Sequence, residues 1–311
     1  MRDQKKTAPD DAFSEQDHRE PKDSKVMNSV HEEVTKELGF QTSLFTFFPL
    51  PRKNVGKEMT KEVQGRTCMY LGFYGIPYTT IDRRMLEIIT TKKVQSKSRV
   101  IQFGSVTDTL RESGMGRSGG ERGYIKPMKD SLLRISGLTI HLTENVKTER
   151  FEGITGKNFH IADEFKILWA NGRTDLVVPE LLDNLNYMTI SEEFASLCDE
   201  AAPHIQADYL KIQSALTQDI YPWLCAKLYH LKDKDELIRW SWLYAQFGEG
   251  KRMTDNQTKS FRKKFKASGL EIKQDLYQKA NYEFTDEGIL LKRSPPLIEP
   301  DSKKAGFSVF G

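Results

Sequence analysis

Cysteine is scarce in this chain: Cys68, Cys198 and Cys225 stand far apart among 311 residues. With no Cys-x-x-Cys spacing and no even framework, neither a disulfide scaffold nor a multi-cysteine zinc site is expected, and a reducing cytoplasm fits best. Long apolar runs are missing too. No stretch of 18 apolar residues occurs, and the opening MRDQKKTAPDDAF lacks the apolar centre of a secretory leader. Export and membrane spanning are therefore not expected. A charge excess of one sign is also absent, since 47 Lys and Arg face 44 Asp and Glu for a formal +3. Any case for nucleic-acid binding must rest on where the charges sit, not on their sum. Apolar residues make up 38% and charged residues 29%, slightly core-poor against a usual about 45–50% and about 25%. A compact part with soluble tails accounts for that balance, and the length suits about two domains.

Residues 1–24 are almost entirely polar, with Phe13 the one aromatic, and read as a disordered tail. Val26, Val30, Val34 and Leu38 recur every fourth residue, as in a short amphipathic helix ending at Gly39. Leu44, Phe45, Phe47 and Phe48, followed by Pro49 and Pro51, read as an extended arm with apolar pegs. From Thr79 the pattern is helical to about Val94, with Ile81, Met85, Leu86, Ile88 and Ile89 on one face. A short strand at 99–103, a brief helix through Val106 and Leu110 and a glycine-rich turn at 114–123 follow. A helix at 124–135 then leads into two alternating runs, 138–142 and 159–169, read as a hairpin.

Residues 174–210 contain no Lys or Arg but carry Asp175, Glu180, Asp183, Glu192, Glu193, Asp199 and Glu200. Thr189 and Glu192 form a T-x-x-E capping box for a helix that Pro203 ends. Beyond this acidic junction the order repeats. Asp219 can cap a helix bearing Ile220, Trp223, Leu224 and Leu228, and Leu237, Trp240, Leu243 and Tyr244 form a second. A basic helix starts near Asp255, and residues 281–294 read as a hairpin stopped by Pro295 and Pro296. The expected domains are a tail at 1–24, a first domain at 25–173, a junction at 174–215, a second domain at 216–298 and a tail at 299–311.

The sharpest local signal lies in 259–266. Phe261 and Phe265, four apart, share one helix face, while Lys259, Arg262, Lys263, Lys264 and Lys266 occupy the rest with no acidic residue among them. Like charges at that spacing repel, so the pattern calls for an external anion, and duplex DNA presents one charge per ~1.7 Å. A helix of this form suits a major groove. Lys292 and Arg293 follow on the next hairpin, giving a winged-helix arrangement with a basic wing. The first domain repeats the theme more loosely through Arg117, Arg122, Lys126, Lys129 and Arg134, among Lys92, Lys93, Lys97 and Arg99. A dimerisation surface is the competing reading there.

Other motifs fail on context. Residues 114–119 spell G-x-G-x-x-G, but a helical stretch precedes them and further glycines follow, so no nucleotide cradle is expected. Residues 153–158 echo a phosphate loop without its first glycine or the hydroxyl after Lys157. Glu200 with His204 is a single pair where a metal needs three or more ligands. No catalytic constellation has local support, so no enzyme activity, cofactor or metal is expected.

Several segments resemble the plasmid-encoded RepA replication initiators. They are Leu71-Gly72-Phe73-Tyr74-Gly75-Ile76-Pro77-Tyr78, the helix end at 89–99, Ser118-Gly119-Gly120-Glu121-Arg122-Gly123, Asp219-Ile220-Tyr221-Pro222-Trp223-Leu224 and Trp242-Leu243-Tyr244-Ala245-Gln246-Phe247-Gly248. The similarity spans about 40–300, and Pro222 is expected in its helix's first turn. The resemblance implies tandem winged-helix domains, repeated origin sequences as ligand, and repression of the protein's own promoter as a dimer. The expectation is thus an α+β fold of two winged-helix domains, mostly helical with short hairpin wings. Its partners would be double-stranded origin DNA, a second copy, and host replication initiation proteins and helicase, with no membrane. Alternatives are a winged-helix transcriptional repressor and a DNA nickase or primase.

Overall fold

The computed structural model describes residues 38–115, 123–147, 150–168, 186–231, 234–249, 254–295 and 297. Strand β1 (Leu38–Gln41) and the single helical turn α1 (Ser43–Phe47) lead to β2 (Glu58–Val63) and β3 (Arg66–Gly72). Helix α2 (Thr80–Ser96), β4 (Val100–Phe103), α3 (Val106–Glu112) and α4 (Ile125–Ser136) follow. Then come β5 (Leu138–Lys147), β6 (Glu152–His160), β7 (Ala162–Lys166), β8 (Asn186–Ile190), α5 (Glu192–Asp199), β9 (Ala202–Ile205) and α6 (Gln206–Lys211). The last third holds α7 (Ala215–His230), β10 (Glu236–Arg239), α8 (Trp240–Phe247), α9 (Asp255–Glu271), β11 (Tyr282–Phe284) and β12 (Gly288–Leu291). The architecture is mixed α/β, with helices around several small antiparallel sheets.

One topology occurs twice. Elements α2, β4, α3, α4, β7 and β8 run helix, strand, helix, helix, strand, strand, and their sheet has the order β4-β8-β7. Elements α7, β10, α8, α9, β11 and β12 repeat that run with the order β10-β12-β11. In both, the last strand sits in the middle, pairing antiparallel with the first and the second. The first copy carries an insertion: β5 and β6 leave it after α4 and join β2 and β3 in a four-stranded sheet, order β2-β3-β5-β6. Each copy has its own apolar core. One gathers Met85, Leu86, Ile89, Leu132, Ile140 and Met188, the other Trp223, Leu224, Leu243, Phe265, Tyr282 and Ile289.

Local chemistry sets most boundaries. Thr79 caps α2 in a capping box with Asp82, whose backbone N–H donates to the Thr79 hydroxyl. Lys97, at φ 55°, ends that helix in the left-handed region. Gly288 is required where it sits: a Cβ there would stand 2.0 Å from the Ile238 carbonyl oxygen across the β10–β12 ladder.

Several expectations need correction. The expectations for residues 1–37, including the tail at 1–24, lie outside the described residues, but Leu38 and Gly39 belong to a strand, pairing with Ile205 and His204 of β9. Leu44 to Phe47 are helical, since Pro49 and Pro51 fall beyond the turn and leave its hydrogen bonds intact. The run at 138–142 lies between β3 and β6, and the chain bends at Ile161 so that β7 joins a different sheet. Within the acidic stretch, Thr189 lies on β8, and Ser191 is the cap of α5, accepting from the Phe194 N–H. Leu237 lies on β10 instead of a helix. Ser214 caps α7, which leaves Asp219 and Pro222 inside the helix beyond its first residues.

Asp219 has another task. It faces Arg83 of α2, 136 residues away, with Nε to Oδ1 at 2.7 Å and Nη2 to Oδ2 at 3.0 Å. Both side chains are buried. The same guanidinium donates to the carbonyls of Leu50 (2.7 Å) and Tyr78 (2.9 Å). Nearby, Lys61 donates one long bond to the Pro49 carbonyl (3.4 Å), and burial pushes its ammonium down to about 7, Arg52 and Arg83 adding to the effect and Asp219 opposing it.

Two outcomes follow from this network. Arg83→Met strands a buried carboxylate and should cost about 3–5 kcal/mol in urea unfolding, whereas Arg83→Met with Asp219→Leu should regain most of that loss. The Lys61 ammonium binds its proton more weakly folded than unfolded. Stability should therefore rise with pH between about 7 and 10.5, by at most about 1.4 kcal/mol per pH unit, and Lys61→Met should flatten that slope.

Candidate nucleic-acid interface

Helix α9 starts with a reciprocal cap, Thr254 accepting from the Gln257 N–H and Gln257 accepting from the Thr254 N–H. Its inner face is aromatic. Phe265 is fully buried, with ring centroids 5.7 Å from Phe247, 5.9 Å from Trp240 and 6.3 Å from Trp223, and Phe261 lies 5.2 Å from Tyr244. At the far end Gly269 lets Phe284 of the hairpin sit flush on the helix, since a Cβ there would come within 2.5 Å of its ring. The Tyr282 hydroxyl donates to the Gly269 carbonyl at 2.5 Å. The helix is thus fixed to both α7 and the hairpin from behind.

At about 100° per residue, Lys259, Arg262, Lys263 and Lys266 fall within an arc of about 100°, and Lys264 stands about 100° further round. Lys259, Lys263 and Lys264 are exposed, and Arg262 and Lys266 are half-buried. The latter two lean over one indole: the Arg262 guanidinium is 5.5 Å and the Lys266 ammonium 5.7 Å from the Trp240 ring centroid. Among the described residues none of the five forms an ion pair. Arg262 Nε is buried and has no hydrogen-bond acceptor there. Local sequence did not reveal Trp240 as the platform, because it lies 22 positions upstream of Arg262. Leu270, half exposed, falls on the same arc as Lys259 and Lys263, a position that helical spacing does predict.

The hairpin differs from expectation. Its turn, residues 285–287, carries Asp286 and Glu287, while Lys292 and Arg293 follow the end of β12 at the base. The wing tip is acidic, because the register Phe284↔Ile289 places the basic pair at the opposite end. Lys292 donates to Glu283 Oε1 at 2.7 Å, a bond that holds the lysine above and the glutamate below their ordinary ranges. Arg293 is exposed.

In the first copy several of the basic residues are engaged elsewhere. Arg134 donates to Asp82 Oδ1 at 2.9 and 3.2 Å, tying α4 to the start of α2. Lys92 pairs with Glu112 (2.8 Å), Lys93 with Asp199 (2.7 Å) and Arg99 with Asp163. Lys126 is exposed and Lys129 half-buried, its ammonium lowered by desolvation. Arg117 and Arg122 lie outside the described residues. Among the described residues no group of three His, Cys, Asp or Glu is placed to hold a metal. His204 is buried 3.5 Å from Glu87 instead of meeting Glu200. No helix there is long and apolar enough to cross a membrane.

The fold defined by these elements is similar to that of domains 2 and 3 of RctB. A crystal structure of their selenomethionine derivative matches with a TM-score of 0.51 at 14% identity, covering 81% of this chain and 98% of that one. A second RctB domain 2–3 structure gives 0.47 at 14% identity, covering 77% and 83%. No curated protein matches the sequence. The family model described as plasmid encoded RepA protein matches residues 76–243, more than half of the chain. The chain belongs to that family.

Core and surface positions on α9 separate cleanly. Replacing Lys259, Lys263 or Lys264 singly by Ala should leave unfolding free energy within about 0.5 kcal/mol. Phe265→Ala should cost about 3–5 kcal/mol in the same measurement.

Proposed function

We propose that this chain is a plasmid replication initiator that binds repeated origin sequences in double-stranded DNA through α9, the recognition helix of the second of two tandem winged-helix domains. One observation carries the reading: five cations stand on one helix with no carboxylate partner among the described residues, held from behind by an aromatic core. Bringing like charges together in this way costs free energy that phosphates would return. The twice-used helix, strand, helix, helix, strand, strand order supports the winged-helix assignment, and membership of the RepA family supports the role in replication. The first copy, with its basic residues largely paired, serves dimerisation and auxiliary contact through Lys126, Lys129 and the segment bearing Arg117 and Arg122. With an acidic turn, the hairpin stays off the phosphates at its tip and contributes at its base through Lys292 and Arg293. The protein carries no catalytic activity of its own, opens the origin by binding and recruits host initiation proteins and helicase.

A salt series on origin repeats tests this. Four cations on the α9 arc predict a log–log slope of about -3.6, reduced by about 0.9 in Lys263→Ala. Arg262→Ala should cost about 1–3 kcal/mol on the specific site only if it reads a base edge. An affinity independent of salt overturns the reading. Intact supercoiled origin DNA after incubation with Mg2+ separates it from a nickase. A plasmid that still replicates without this gene would leave a repressor instead.

A further inference from the structure

On the inserted sheet, away from α9, lies a groove of about 610 Å³ between α1, α5 and the β5–β6 hairpin. Its floor is apolar, formed by Leu44, Phe47, Leu142, Phe159 and Leu197. One wall is α5, which presents Glu192, Glu193 and Glu200. On the other, Arg66 is held over the Phe47 ring at 5.6 Å and is paired with Glu144 at 2.9 Å. Glu192, Glu193 and Glu200 form no ion pair among the described residues. Two of them suit the first turn of α5, where the helix dipole favours anions. Glu200 does not: it is the C-cap, at the end where a carboxylate is disfavoured.

The apolar floor ends at Leu142. Alternation along β5 puts Glu144, paired with Arg66, next on that face, and the register sets Lys157 opposite Leu142.

We infer that this groove docks a cationic amphipathic helix of a partner protein. The partner's apolar residues, three and four apart, would fill the floor, and its Lys and Arg side chains would face the carboxylates of α5. Such grooves read a helix through anchors at i, i+3 or i+4, and i+7. Charge complementarity selects this occupant. With Lys157 and the Arg66–Glu144 pair also lining the groove, its carboxylates outnumber its cations by four to two, which favours an external cation, and the floor calls for an aliphatic face beside it. The surface is separate from the DNA reading and stands without it.

The probe is a fluorescent 15-residue peptide of Leu and Lys at helical spacing, titrated by anisotropy against the full chain. A scrambled peptide of identical composition controls for charge alone. Saturable binding is expected, at least tenfold weaker for the scrambled peptide. Glu192→Gln with Glu193→Gln and Glu200→Gln should weaken it at least tenfold, and Ser196→Trp, which fills the groove from its exposed wall, should do the same. Thermal midpoints of both variants should match the parent. Equal binding of the two peptides, or binding that survives Ser196→Trp in a folded protein, overturns the assignment.

Discussion

The Arg83 guanidinium is where separate parts of the chain meet. It receives the Asp219 carboxylate from α7, the Leu50 carbonyl from the segment after α1 and the Tyr78 carbonyl from the approach to α2. Burial works against its charge, yet Asp219 outweighs burial and holds it above its ordinary range. A guanidinium suits this position because its planar fork meets a carboxylate bidentately while its remaining N–H groups satisfy carbonyls. The pair joins the leading helix of the first topological copy to the leading helix of the second. Either partner alone would be a buried, uncompensated charge, so each fixes the need for the other.

The two copies share strand order but not electrostatics. In the first, cations of α2, its C-terminal extension and α4 close onto carboxylates from Asp82, Glu112, Asp163 and Asp199. These bonds fasten the copy to its surroundings and reduce the charge it offers outward. In the second, the hairpin lysine is likewise engaged, by Glu283, yet α9 keeps its cations. Topology alone therefore does not decide which copy presents positive charge. The decision lies in where the acidic residues stand.

Much of this was legible in the sequence where a local pattern governed. The apolar face from Ile81 to Ile89, the helix around Phe261 and Phe265 and the final hairpin all appear close to their expected bounds. Strand β10 was hidden because Leu237 and Trp240 are three apart and mimic a helical face. The distal half of β6 is exposed on both faces, so it has no alternation to reveal it. Strand β8 does alternate, but Thr189 and Glu192 imitate a capping box there. The ion pairs of the first copy span 52 to 106 residues for Arg134, Arg99 and Lys93. No count of neighbouring charges detects such partners, and for that reason the first basic cluster looked more available than it is.

Trp240 explains how α9 can be both ordered and charged. A carboxylate beside Arg262 or Lys266 would hold the side chain but would also cancel its charge. An indole face attracts a cation through its quadrupole, worth about 0.5–2 kcal/mol, and cancels nothing. The same indole is fixed by a hydrogen bond from its Nε1 to the Thr285 carbonyl (3.1 Å) and stacks against Phe284. The hairpin thereby positions the ring, and the ring positions two of the cations. Arranged this way, the hairpin can shape a basic surface without lending it a basic tip, which accounts for the acidic turn at Asp286 and Glu287.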